Sequence, residues 1–306
     1  MAFRPSSPYN ELPRLPPSAE FETKPVLRKA IGAGRALAEL KGLGQTIPDQ
    51  AVLVNSLVLQ EAKASSEIEN IVTTNDALFR AFTATTGSVD AATKEVLRYR
   101  EALWRGYIRL GERRVLSTNL FVELVQTITN TDAGIRNVPG TAIVNPVTGE
   151  TVYTPPEGER VIRDKLRELE EFIHDSSDLD PLIKMALVHY QFEAIHPFFD
   201  GNGRTGRIVN ILFLLLNGLL DQPVLYLSRF IIQHRSDYYA ALRAVTEDDA
   251  WEDWILYMLT AVEETADFTR QRVCAIRDLM HETIEQARRD LPQNDYSKDL
   301  IELLSR

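Results

Sequence analysis

Two apolar runs of helical length, Pro181 to Ile195 and Ile208 to Leu220, flank twelve residues dense in chemistry. These are His196-Pro197-Phe198-Phe199-Asp200-Gly201-Asn202-Gly203-Arg204-Thr205-Gly206-Arg207. Both runs are long enough for helices, and the second reads as a buried central one. The chain is therefore predicted to be mainly α, with its polar chemistry gathered at one helix–loop–helix joint. A residue before proline is disfavoured in the α region, so the first helix should end at His196 with its imidazole beside the loop. Histidine titrates near neutrality and suits taking a proton from a hydroxyl. Gly201-Asn202-Gly203 opens the second helix, whose first amides lack internal partners and attract anions, phosphate above all. Arg204 and Arg207 lie three apart and can fork onto phosphate oxygens. Asp200 offers a hard oxygen ligand, as magnesium on a polyphosphate needs.

A lone Gly-Asn-Gly is only a turn, and a histidine beside a proline is ordinarily structural. Two arginines at a helix start oppose the dipole, however, which a purely structural helix would avoid. No G-x-x-x-x-G-K-[ST] occurs, so this is not a Walker loop. Taken alone, the residues describe an anion site with a base nearby.

The stretch resembles the HxFx[D/E]GNGRxxR signature of the Fic family, and matches it throughout. The resemblance implies a Fic-type helical bundle with a β-hairpin flap. It implies transfer of AMP from ATP, with magnesium, to a Tyr, Thr or Ser hydroxyl of a target protein. His196 would be the base and Asp200 would hold the metal. Gly201, Asn202, Gly203, Arg204, Thr205, Gly206 and Arg207 would hold the nucleotide. Ser65, Glu69 and Asn70 alone read as part of a solvated helix end. They also resemble the family's [ST]xxxE[GN] inhibitory motif, in which Glu69 would pair with Arg207 and keep the γ-phosphate from it. Because this motif precedes the core, the chain resembles the subgroup with an N-terminal inhibitory helix, about 61–70.

Between them, Thr141 to Val144 and Thr151 to Thr154 flank turn-forming residues and predict a hairpin. The resemblance makes it the flap on which a target docks as an added strand, with Val152 and Tyr153 near the nucleotide. Gly134-Ile135-Arg136 resembles the family's approach to that flap. Tyr238 would lie against the base; a helical Tyr pair at 238–239 reads equally as core packing. Some relatives carry Asn where this chain has Thr246. Two rivals remain open. One is hydrolytic removal of AMP at the same site, with Glu69 orienting a water. The other is a non-catalytic regulatory or interaction module. Other donors, such as UTP or CDP-choline, also fit the signature.

Composition narrows the setting. Of 306 residues, 44% are hydrophobic, enough for a sizeable core, and the net charge of −10 argues against a general nucleic-acid grip. Cys274 is the only cysteine, so no intrachain disulfide forms. The histidines show no zinc spacing. The apolar run at 208–220 contains Asn210 and Asn217 and is too short to span a bilayer. With no signal pattern at the N-terminus, the expected setting is cytoplasmic, without membrane contact. Homodimerisation is left open by the sequence.

In order, the chain begins with a proline-rich extended arm, 1–22. Helices are predicted over Pro25 to Lys41, from Ile47-Pro48-Asp49 through about Gln60, and from Asn75 or Asp76 to Phe82. Others cover Ala91 to Leu110, Ser117 or Thr118 to Asn130, Glu159 to Asp175, Phe230 to Val245 and Ala250 to Ala287. The expected division is an N-terminal helical region (1–90), a catalytic core (91–270) and a C-terminal extension (271–306). Tyr296 to Arg306 resembles the first helix of a truncated winged helix.

Overall fold

Helix α7, Pro181–Ile195, is buried along almost its whole length, as its mainly apolar sequence requires, and takes Lys184, His189 and Gln191 into the interior with it. Asp180 caps it, accepting hydrogen bonds from the amides of Leu182 (2.8 Å) and Ile183 (3.4 Å), and Pro181 occupies the first turn, where no amide is needed. Helix α8, Asn202–Leu216, packs beside it and is equally buried. Together they form the centre of the computed structural model, which describes residues 3–44, 50–83, 89–145 and 148–290.

The second apolar run is helical only to Leu216. Gly218 follows at φ 70°, and the Leu219 amide bonds back to the Leu214 carbonyl at 2.9 Å, a left-handed turn that closes the helix. Helix α8 also begins earlier than its apolar run, so 202–207 belong to its first turns and not to a loop.

Other helices pack around this pair. Helix α4, Ala91–Arg113, is capped by Asp90 and α5, Thr118–Thr129, by Ser117. A Cβ on Gly106 would strike Leu212, so α4 passes very close to α8. Helix α6, Glu159–His174, buries Ile162, Leu166, Leu169, Phe172 and Ile173 as one stripe. Helix α1, Lys24–Gly44, lies along α11, Trp251–Asp290, with Lys29 on Glu263 at 2.5 Å. Helix α2, Gln50–Ile68, packs against α4, α8 and α9, Leu227–Gln233. One hydrophobic core runs from Leu12 to Ala266 and includes residues on both sides of position 90.

Two expectations are corrected. Helix α3, Asn75–Thr83, is capped by Thr74, whose Oγ1 accepts the Ala77 amide at 3.1 Å; Asn75 instead accepts from Lys63 Nζ at 2.9 Å. The helix predicted over 230–245 is two, α9 and α10, Arg235–Asp248. His234 breaks them with φ −121°, its ring stacked 4.1 Å from that of Phe230.

The hairpin is shorter than its sequence suggested: β1, Ile143–Val144, pairs antiparallel with β2, Thr151–Tyr153, with an irregular register. So small a ribbon needs support. Tyr153 gives its hydroxyl to the Ala194 carbonyl at 2.7 Å, and the N-terminal arm braces the other side. Along that arm Phe3 stacks on Tyr153 at 5.9 Å, the Tyr9 amide reaches the Thr154 carbonyl at 3.0 Å, and Leu12 is buried. The helix start at 47–49, most of the loop from 83 to 89, the hairpin tip at 146–147 and the 291–306 segment lie outside the described residues. No described helix is long and apolar enough to cross a membrane.

Candidate active site

The chain leaves α7 through His196, which adopts φ 48° and ψ 59° with its amide on the Phe192 carbonyl at 3.1 Å. The helix ends where the following proline dictates, but in a left-handed cap and not in extended backbone. Arg136 holds this conformation: Nε donates to the His196 carbonyl at 2.7 Å and Nη2 to the Ile195 carbonyl at 3.3 Å. Arg136 Nη2 also donates to Pro156, and the Arg136 amide reaches the Pro197 carbonyl at 2.9 Å. The His196 imidazole is half-buried, with Nδ1 lacking a hydrogen-bond partner. Burial first, then the Arg136 charge, lower its pKa to about 4, although Glu69 and Asp200 pull the other way. The ring is therefore neutral at physiological pH and free to accept a proton.

Asn202 shapes the turn from within. Its Oδ1 accepts the Phe198 amide and its Nδ2 donates to the Phe198 carbonyl, both at 2.8 Å. Gly201 sits at φ 79° before the first turn of α8. Asp200 accepts the Gly201 amide at 2.6 Å, and its side chain is 75% exposed, so the carboxylate remains open to a cation. Buried Arg204 forks between Glu95 (3.0 Å) and Asp200 (3.3 Å).

Arg207 is the most elaborately held cation. Nε donates to Ser65 Oγ at 2.8 Å, and Nη2 donates to the Ser65 carbonyl and to Glu69 Oε1, both at 2.9 Å. Burial is the largest influence and opposes its charge, but Glu69, Tyr238, Tyr99 and Glu193 together outweigh it and hold the pKa above the ordinary range. Gly203 lies one turn earlier on the same face, and a Cβ there would strike both the Glu69 carboxylate and Arg207. Glu69 therefore reaches across the start of α8 from the end of α2. Asn70 follows it at φ 63°, accepting from Arg235 at 3.0 Å.

Three expected nucleotide contacts are placed otherwise. Thr205 is fully buried, and Gly206 fits against Glu193, Phe192 and His189 of α7, so both serve helix packing. Thr205 points away from the face carrying Gly203 and Arg207. Tyr238 is in the core, its hydroxyl 2.9 Å from His189 Nε2 and its ring enclosed by Trp254, Tyr257 and Tyr239. The neighbouring Tyr239 is 45% exposed and feels the charges of Glu69 and Arg207. Val152 and Tyr153 are half-buried on β2, with Tyr153 tied to the end of α7.

Several residues in this constellation were not singled out from sequence. Glu61 is buried, accepting from the Ser228 amide at 2.9 Å, the Ser228 hydroxyl and the Tyr99 hydroxyl at 3.1 Å. Burial raises its pKa despite these donors. A signal was available: Glu61, Ser65 and Glu69 are spaced by four and form one stripe of α2 and its final turn. Glu193 has a buried Oε1 without a partner, and burial lifts its pKa to about 7 against the opposing pull of Arg207. Among the described residues, no group of three or more His, Cys, Asp or Glu could hold a metal ion.

A helix start that gathers glycines and two buried arginines beside a neutral histidine has the chemistry to take an anion next to a base. Residues 27–108 match the family model described as Fic/DOC family N-terminal, and 116–214 match that described as Fic/DOC family. The chain belongs to the Fic/DOC family. It is 33% identical over 99 residues to the protein adenylyltransferase fic-1 of Caenorhabditis elegans, covering 32% of this chain and 18% of that protein. It is 34% identical over 95 residues to a probable protein adenylyltransferase of Aquifex aeolicus, covering 31% and 27%. The chain thus spans under a third of the length of either relative. A Fic family protein from Desulfovibrio desulfuricans shares the fold with a TM-score of 0.65 at 18% identity, over 87% of this chain and 80% of that one. Caenorhabditis elegans Fic-1 gives 0.61 at 18% identity, over 83% and 74%.

Proposed function

We propose that this chain is a protein adenylyltransferase held inactive by Glu69. ATP binds with its phosphates against the start of α8. His196 takes the proton from a target Tyr, Thr or Ser hydroxyl, the oxygen attacks the α-phosphorus in line, and pyrophosphate leaves. Asp200 is the carboxylate that would hold a nucleotide-borne magnesium, which supplies neutralising charge. The target lies along the hairpin, beside Val152 and Tyr153. The observation that carries the reading is the engagement of Arg207 by Ser65 and Glu69 at 2.8–2.9 Å, which leaves the guanidinium occupied where a γ-phosphate would need it. Names of the curated relatives support AMP as the transferred group.

Labelled ATP separates the roles. Wild type should transfer weakly, Glu69→Gly at least about tenfold more, and His196→Ala not at all. Equal labelling by wild type and Glu69→Gly would remove the inhibition, and labelling by His196→Ala would remove the base.

A further inference from the structure

We infer that Arg136 is a positioning residue for transfer, its one guanidinium tying the main chain of His196 to the exit of the target-docking hairpin. The inference rests on the functional reading above.

Arg136 is 1% exposed, so its charge has been taken out of water and must be matched by acceptors. The acceptors come from two separate structures. The Ile195 and His196 carbonyls are the last of α7, where helix geometry leaves them without partners and where a cation is favoured. The Pro156 carbonyl lies just past β2 and receives the same Nη2. The Arg136 amide adds the Pro197 carbonyl at 2.9 Å. Three consecutive residues across the base, 195–197, are thus held by one side chain and its own backbone. A left-handed conformation at a non-glycine residue such as His196 costs energy and persists when surrounding bonds over-determine it. The bond from Arg136 Nε to the His196 carbonyl is part of that restraint. Because the ring is aimed by its backbone, loss of the guanidinium should turn the imidazole and release the hairpin together. A cavity of about 500 Å³ opens under the hairpin with Arg136 in its wall, between Pro8 of the arm and Thr151 of β2. A target side chain entering there would press on the residue that holds the base.

The experiment uses the full chain carrying Glu69→Gly, with Arg136→Met and Arg136→Lys added separately. Pyrophosphate release from ATP with magnesium gives kcat and KM. NMR of the His196 ring, assigned through His196→Asn, and of the Thr151–Tyr153 amides gives position without needing turnover. Arg136→Met should lower kcat at least about tenfold while KM for ATP stays within about twofold, since the phosphates rest on α8. The ring and hairpin signals should move together, and Arg136→Lys should recover part of kcat. If Arg136→Met does not fold, the lysine variant decides: ring and hairpin shifts support the inference, and unmoved signals overturn it. A kcat equal to the parent's, or hairpin shifts with an unmoved ring, would also overturn it. If the Glu69→Gly parent releases no pyrophosphate, the functional reading fails, and the NMR signals alone decide whether Arg136 couples the two.

Discussion

Arg207 cannot hold two anions with the same nitrogens. Nη2 is shared between the Ser65 carbonyl and Glu69 Oε1, so a phosphate oxygen must displace the carboxylate to reach it. Glu193, beside Arg207, and His196, at the end of α7, respond to pH in opposite senses. Burial raises Glu193 to about 7, so its contribution to stability is present at low pH and lost as pH rises through 7. Glu193→Gln imitates the protonated acid; its melting temperature should match wild type near pH 5 and exceed it near pH 8, as calorimetry would show. His196 is depressed to about 4, so its contribution is present above its ordinary pKa of 6.5 and lost as pH falls through 4. Its Cε1–H resonance should therefore titrate near 4, and a midpoint near 6.5 would contradict the lowering by partial burial and the Arg136 charge. The motif residues were legible in the sequence because their chemistry is local and contiguous. The sequence could not reveal Glu95 on Arg204 or Glu61 beside Tyr99, whose partners come from distant parts of the chain. Nor could a Tyr-Tyr pair show that Tyr238 faces inward and Tyr239 outward.

Among the elements, α2 carries Ser65 and leads into Glu69, the two residues that engage Arg207, and is fixed at mid-length by Glu61. That carboxylate serves Ser228 on α9 and Tyr99 on α4, so α2 is tied to two neighbours before its last turn meets α8. Release of Glu69 is then expected from the turn after Ile68 and not from a sliding helix. Glu61→Ala leaves buried donors without an acceptor and should cost roughly 2–4 kcal/mol in urea unfolding. It should also raise transfer by loosening the hold on Ser65 and Glu69. An alanine variant as stable as wild type would show that this tie contributes nothing. Helix existence was legible from periodicity, whereas helix ends were set by contacts. His234 broke a run that reads as continuous because its ring packs on Phe230, and α8 stops at Leu216 because Gly218 turns the chain.

For the whole molecule, the hairpin is supported from two sides: by the end of α7 through Tyr153 and by the N-terminal arm through Tyr9 and Thr154. Proline spacing marked the arm as extended, but not the surface it covers. Removing residues 1–13 should speed amide exchange at Thr151–Tyr153 while leaving the centre of α7 protected; unchanged exchange at the hairpin would mean that the arm is no brace. We propose that an anion site at the start of α8 is kept from its ligand by Glu69. The most direct measurement is the position of the γ-phosphate in crystals of Glu69→Gly with a non-hydrolysable ATP analogue and magnesium. The account predicts a γ-phosphate oxygen within about 3 Å of Arg207 Nη2, the nitrogen that Glu69 now occupies. A nucleotide bound with its γ-phosphate away from Arg207, or no nucleotide at the start of α8, would contradict it.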